Sequence, residues 1–210
     1  MVFVFWWDGC GLSSLFECVN FSQSGVFMKT IFLSIFFVLS SSPILFAKDC
    51  TYTIDEEKSM VEGTGFKFTE KKGVKGRFLG VQLSQNKPQK AFEDLFKGLS
   101  VSVDLVTLDS GNSLRDKNMR ETLFSGILGD SKAQVKVLQM NKKKIETEIK
   151  LNNKTQKVSF DYSMKDMVIV AKGQFDALKF ALGDQIAALK KRCGSLHTGS
   201  DGKSVTWPTF

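Results

Sequence analysis

The stretch VSVDLVTLDSGNSLRDKNMRETLFSGIL, residues 101–128, decides the fold of this chain. Its first part alternates apolar and polar residues, with Val101, Val103 and Leu105 on one face. A period of two residues is typical of a β-strand that is buried on one side. We therefore predict that this stretch opens with a strand whose apolar face points into a core.

A turn and a helix follow that strand. Asp109-Ser110-Gly111-Asn112 has the composition of a turn. Ser113 precedes Asp116 by three residues, which is the spacing of a helix N-cap and its capping-box partner. We predict a helix from Ser113 to about Phe124.

Strand patterns also dominate the rest of the chain, and short strands between tight turns favour an antiparallel barrel or sandwich. The other predicted strands cover residues 51–54, 61–69, 74–84, 133–140, 144–151, 155–163, 167–175 and 205–210. A short helix is predicted at 90–97. A second helix is predicted from 178 to 193, because apolar residues recur there every three or four positions. We expect this second helix to cover one end of the sheet.

The beginning of the chain predicts export. Residues 28–47 combine a lysine near the start, an apolar run and Ala47 as a small cleavage residue, which is the layout of a secretory signal peptide. Because a signal peptide is N-terminal, we interpret residues 1–27 as an extension upstream of the true start at Met28. The mature protein is then a single domain, residues 48–210, in the periplasm.

The cysteines and charges narrow the functional classes. Cys50 and Cys193 remain after the predicted cleavage, and an even pair in an exported chain predicts a disulfide. The net charge is +7, but the lysines are spread along the chain, which argues against nucleic acid and is compatible with transient contact with an anionic membrane surface.

Nothing in the sequence favours catalysis. The chain has one histidine, His197, and no phosphate loop, dinucleotide fingerprint or spacing of metal ligands. Cys193 with His197 four residues on is a conceivable thiol nucleophile, but the predicted disulfide would consume that thiol. We predict a protein that is not an enzyme and has no metal or resident cofactor.

Several short motifs together resemble the YceI-like family of periplasmic lipid-binding proteins. The motifs are Tyr52-Thr53-Ile54-Asp55, Val74-Lys75-Gly76-Arg77-Phe78, Ser110-Gly111-Asn112, Arg115-Asp116 with Phe124, and, toward the end, Cys193, Leu196-His197, Gly199, Asp201-Gly202 and Thr206-Trp207-Pro208. One departure is Asn118, which stands where members of the family often carry histidine.

The resemblance implies an eight-stranded, antiparallel, lipocalin-like barrel that holds an isoprenoid lipid, a quinone or another long-chain lipid. Arg115 and Asp116 are then candidates for contact with a lipid headgroup. A homodimer is compatible with this interpretation. The alternative is a barrel filled by its own side chains that acts as an interaction protein. The candidate residues for an apolar cavity are Phe66, Phe68, Phe78, Val101, Val103, Leu105, Leu123, Phe124, Phe160, Tyr162 and Phe175.

Overall fold

Eight antiparallel strands close into a barrel in the computed structural model, which describes residues 1–8 and 51–210. Each strand pairs with its neighbour in the chain, and the first pairs with the last. The predicted eight-stranded antiparallel barrel is confirmed. Its strands are β1 (Val2–Asp8), β2 (Thr53–Lys67), β3 (Lys72–Ser84), β4 (Ser100–Asp109), β5 (Lys132–Met140), β6 (Lys144–Leu151), β7 (Lys154–Lys165) and β8 (Val168–Lys172).

The first strand comes from the segment that the sequence analysis placed upstream of the domain. β1 pairs with both β2 and β8, and the amino group of Met1 donates a hydrogen bond of 2.8 Å to the Gly173 carbonyl. The predicted domain, residues 48–210, thus contains seven of the eight strands of this structure. The predicted signal peptide, residues 28–47, lies outside the described residues, and the start at Met28 stays a prediction.

β2 is one long strand, where the sequence predicted two separate strands at 51–54 and 61–69. The alternation fails in its middle because the pairing with β1 shifts register between Val4 and Trp6. Opposite that irregularity, the Asp55 carboxylate accepts from the Lys58 backbone N–H at 3.2 Å. Apolar and polar residues do not alternate in the irregular middle of β2, so the sequence pattern does not predict one continuous strand.

The helices cluster at one end of the barrel. α1 (Ser113–Met119) follows β4 and continues as one π-helical turn, Arg120–Phe124. The predicted N-cap at Ser113 is wrong by one residue, since the Asn112 side chain accepts from the Arg115 N–H at 2.9 Å. Asn112 is the last residue of the turn, so its side chain reaches the first free N–H groups. The strand–turn–helix order predicted for this stretch is confirmed.

The structure differs from the prediction at two places in the C-terminal part and at one earlier helix. A 3-10 turn (Ala177–Phe180) and a left-handed Ala181, with φ of 55°, precede α2 (Gly183–Cys193), so the predicted helix from 178 is interrupted. Residues 205–210 form only isolated bridges, including Lys67 with Thr206, and no strand. The predicted helix at 90–97 is a single 3-10 turn, Phe92–Asp94. In the described ranges, no helix is long and apolar enough to span a bilayer.

Candidate ligand-binding cavity

The barrel interior is filled at one end and open at the other. The filled end, which lies away from α1 and α2, is packed with large side chains that include Phe96, Phe160 and Ile169. A void of about 20 Å³ lies among these side chains, and it is too small for a ligand. Under the helices lies a cavity of about 400 Å³. Sites for small molecules commonly measure about 300–1,000 Å³, so this cavity is large enough for one.

Glycines on β2 and β3 create part of this space. Gly63 and Gly65 occupy alternate positions of β2 and both line the cavity. A Cβ atom added at Gly65 would meet only the Phe210 ring, at 3.6 Å. A Cβ atom at Gly76 would lie 2.6 Å from Leu108 Cδ1, so the Leu108 side chain fills the space beside this glycine and would have to move. At Gly63 and Gly65 the wall of the cavity is therefore formed by the backbone of β2.

Six of the eleven apolar residues predicted from the sequence line the cavity. They come from the β2–β4 wall, the π-helical turn and the segment after β8. The six are Phe66, Phe78, Leu105, Leu123, Phe124 and Phe175.

The other five predicted residues lie elsewhere in the structure. Val101 and Phe160 are buried in the filled end of the barrel, and Val103 is buried in the core without lining the cavity. Phe68 lies in the turn after β2, where the Lys67 ammonium is 4.6 Å from its ring centroid. The Tyr162 hydroxyl donates to the Asn141 carbonyl at 2.9 Å, outside the cavity. Strand alternation predicts which residues face inward, but it does not predict how far along the barrel axis each of them lies.

Arg115 and Asp116, the predicted headgroup residues, both bond to Ser110, but only Arg115 lines the cavity. Asp116 is 6% exposed and accepts hydrogen bonds from the backbone N–H and the hydroxyl of Ser110. Arg115 lines the cavity, and its Nε and Nη2 donate to the Ser110 hydroxyl and carbonyl at 2.7 and 2.6 Å. The Asp116 carboxylate thus braces the turn, while the guanidinium of Arg115 is held at the cavity.

Four polar residues that line the cavity are not among the predicted ligand-binding residues. They are Asn118, Cys193, His197 and Thr206. Asn118 is 8% exposed, Cys193 is 5% exposed, and both residues line the cavity. The His197 Nδ1 lies 2.7 Å from the Thr206 hydroxyl. Burial lowers the pKa of His197, and the charge of Lys67 lowers it further, so the neutral imidazole is favoured near neutral pH. Asn118 stands out in the sequence only as a departure from the family pattern.

The predicted disulfide involves one residue outside the described ranges. Cys193 carries a free, buried thiol, and Cys50 is not among the described residues. Tyr52, which follows Cys50 closely, packs on Trp7 and Phe92 at the filled end of the barrel, whereas Cys193 lines the cavity at the other end. The disulfide between Cys50 and Cys193 stays a prediction.

Alkylation distinguishes a free Cys193 thiol from a Cys193 that forms the predicted disulfide with Cys50. Burial raises the pKa of Cys193, so its thiolate is scarcer than that of an exposed cysteine at the same pH. In the folded, non-reduced protein we expect slow labelling by iodoacetamide, with a rate that rises at higher pH than for a free cysteine. Peptide mass spectrometry reports the label on Cys193, and urea-unfolded protein is the control. A Cys50–Cys193 peptide pair without any label would establish the disulfide.

The fold and the cavity define a class: a lipocalin-like barrel that is closed by packing at one end and has an apolar chamber at the other. Residues 52–198 match the YceI-like domain family, and the chain belongs to that family. No curated protein sequence matches the chain significantly.

Two solved structures are similar to this chain, and the first of them supports the same fold. A polyisoprenoid binding domain from Saccharophagus degradans, described as implicated in plant cell wall breakdown, is similar with a TM-score of 0.55 and 15% identity, over 75% of this chain and 91% of that chain. BcnA of Burkholderia cenocepacia has a TM-score of 0.43 at 12% identity, over 61% and 84% of the two chains. At 15% identity, the likeness to the polyisoprenoid binding domain shows the fold alone.

Proposed function

We propose that the protein binds a long-chain apolar lipid, of the isoprenoid or a similar class, in the chamber beneath α1 and α2. The observation that carries this proposal is a cavity of about 400 Å³ in a barrel whose other end is filled. Affinity would come from burial of apolar ligand surface, at roughly 25 cal/mol per Å². The similarity to a polyisoprenoid binding domain supports the same ligand class by analogy.

The chemistry of the cavity suits holding a ligand, and we propose transport, storage or sequestration rather than a reaction. No group of three or more histidine, cysteine, aspartate or glutamate side chains that could hold a metal occurs in residues 1–8 and 51–210. The Cys193 thiol is buried, and the His197 ring is hydrogen-bonded to Thr206. We further propose that the protein is exported to the periplasm, where a carrier would move lipid between membranes.

The alternative is an interaction protein whose barrel is filled by its own side chains. Side chains fill one end of this barrel, and the other end holds the cavity. Membrane contact and a homodimer stay predictions. Vesicle sedimentation and the mass of the protein in solution test these two predictions, and a monomer that remains in the supernatant would contradict both.

Mass spectrometry of an organic extract tests the proposed function. The protein is purified from the periplasm without detergent, and an unrelated secreted barrel protein receives identical treatment. We expect a long-chain lipid in near-stoichiometric amount that is absent from the control. Folded protein without any enriched lipid, which also fails to bind added long-chain lipids, would contradict the proposal and favour the interaction protein.

A further inference from the structure

The cavity wall between β2 and β8 is built differently from the rest of the barrel. β1 fills this sector as far as Val2, which pairs with Glu62 of β2 on one side and with Lys172 of β8 on the other. Above that level, among the described residues, no strand lies between residues 63–67 and residues 173–177. The strands alone therefore leave a gap in the wall at the helix-covered end.

Residues 205–210, which we call the closing segment, span that gap. Thr206 forms a β-bridge with Lys67 on the β2 side, and Thr209 forms one with Asp176 on the other side. The residues of the closing segment that line the cavity are Thr206, Trp207 and Phe210. The closing segment is thus part of the cavity wall, although it is held by isolated bridges and not by a continuous strand pairing.

Trp207 anchors the closing segment to the end of β2. Its Nε1 donates a hydrogen bond of 2.7 Å to the Phe68 carbonyl, and its backbone N–H donates one of 3.1 Å to the Phe66 carbonyl. The Lys71 ammonium lies 4.2 Å from the centroid of the Trp207 ring, which adds a cation–π contact. Backbone and side chain therefore both hold this residue in place.

The contacts on the opposite side of the gap are few and near the surface. Phe210 and Phe175 exchange two backbone hydrogen bonds of 3.1 Å, and the Ala177 N–H donates to the Pro208 carbonyl at 2.8 Å. Pro208 has no N–H group with which to return a bond. The two phenylalanine rings stack at 5.6 Å, and both residues are only half-buried. Contacts of this kind open locally at a small part of the free energy of global unfolding.

The Phe210 ring stands between the cavity and solvent. It is half-buried, lines the cavity and lies against Gly65, where an added Cβ atom would be 3.6 Å from the ring. Because Gly65 has no side chain to fill this place, displacement of Phe210 would uncover the cavity from the side. Neighbouring sectors of the wall are continuous strand pairs, such as β2 with β3, and could part only if the barrel broke.

We propose that residues 208–210 are a gate through which lipid enters and leaves the cavity. The gate opens when these residues move away from residues 175–177 while Trp207 stays anchored to β2. A long apolar chain then passes sideways between β2 and the segment after β8. This inference rests on the proposed function, because it describes the route by which the same lipid reaches the cavity.

A disulfide across the gate tests the proposal. Asp176 and Thr209 lie directly opposite each other, and the backbone hydrogen bonds fall on their neighbours. The Cα atoms of such a pair are about 4.5 Å apart, which is within the range for a disulfide. Neither residue lines the cavity, so Asp176→Cys with Thr209→Cys locks the gate and leaves the lining unchanged. Peptide mass spectrometry verifies the new disulfide.

The rates of ligand binding are the decisive measurement. The probe is all-trans-retinol, a fluorescent isoprenoid alcohol, and stopped-flow fluorescence follows its binding to the lipid-free 210-residue protein. With the gate locked, we expect association and dissociation both to slow at least about tenfold. The dissociation constant should change less than about threefold, because a gate alters the path and not the site. Dithiothreitol should restore both rates.

Thr198→Cys with Ser204→Cys is the matched control. These residues form another isolated bridge of the same type, in the hairpin that precedes the closing segment. A disulfide there leaves residues 208–210 free to move, so its rates should equal those of the unmodified protein. The unmodified protein with and without dithiothreitol accounts for the native cysteines.

Phe210→Ala tests the gate without a disulfide. The change removes the ring that stacks on Phe175, so the open state becomes more populated. We expect retinol to associate and dissociate about fivefold faster than with the unmodified protein. Circular dichroism at rising temperature shows that the barrel stays folded. Unchanged rates in this folded variant would overturn the gate even if the disulfide did not form.

The outcomes separate the gate from the proposed function. Equal rates in the locked and reduced forms would overturn the gate and leave the lipid-binding barrel standing. Lipid would then enter elsewhere, such as past Leu114 and Leu196, two exposed leucines that also line the cavity. Equal slowing by both disulfides would overturn the gate as well. Retinol that binds no form of the folded protein would contradict the proposed function and this inference with it.

Discussion

Alanine in place of Phe3 or Phe5 should lower the free energy of unfolding of the 210-residue protein by about 3–5 kcal/mol. Both rings are buried in β1, with exposures of 3% and 5%. Phe3 packs edge-on against Phe160 at 5.2 Å, and Phe5 packs against Phe96 at 5.4 Å. Each change removes a large ring from the filled end of the barrel and leaves a space that the neighbours cannot fill. Urea unfolding followed by circular dichroism measures the loss.

Trp6→Ala is the matched control within the same strand. Trp6 is 39% exposed, so its truncation removes far less buried surface than either phenylalanine change. We expect a loss below that of Phe3→Ala. If all three variants unfold like the unmodified protein, β1 does not close the barrel in solution. That result would agree with the predicted start at Met28.

The predicted signal-peptide cleavage would remove β1, whereas the barrel in the structure contains it. Cleavage after Ala47 would remove Val2–Asp8, and with them the pairing partners of β2 and β8. An exposed strand edge presents unpaired N–H and C=O groups, which proteins normally cover. The intact mass of the protein recovered from the periplasm therefore decides whether the barrel of the mature protein contains β1.

The accuracy of the sequence predictions follows the strength of local periodicity. The order of strand, turn and helix from β4 to α1 is predicted correctly, with the N-cap off by one residue, because alternation, a turn and a helix start follow one another without a break. β1 has no such signal, since Val2–Asp8 is apolar at nearly every position and alternation cannot appear. Its partner β8 lies more than 150 residues away in the chain, which local patterns do not reveal.

The sequence predicts some of the cavity residues and not others, because alternation indicates the face of a strand on which a residue lies but not its position along the barrel. Alternation identified Phe78 and Leu105 as inward residues, and both line the cavity. It identified Phe160 as well, although this ring fills the other end of the barrel, because the level of a residue depends on strand register. The space beside Gly65 comes from a missing side chain, which no residue pattern marks as a binding site.

Replacing Gly65 by leucine should abolish most lipid binding while the barrel stays folded. Gly65 lines the cavity, and a side chain there would meet only the Phe210 ring, at 3.6 Å, before it enters the open space. A leucine would therefore occupy volume that the ligand needs, and in a strand it is better tolerated than glycine. We expect the amount of lipid extracted per protein to fall at least about tenfold, because a filled site loses the apolar burial that drives binding.

Thr64→Leu is the control for this change. Thr64 is the neighbouring residue of β2, lies on the opposite face of the strand and does not line the cavity. It adds the same side chain to the same strand, so lipid content should stay at the level of the unmodified protein. Thermal unfolding of both variants shows that the barrel is intact. If Gly65→Leu keeps its lipid, the ligand lies outside the chamber, and the exposed face of the barrel becomes the place to look for it.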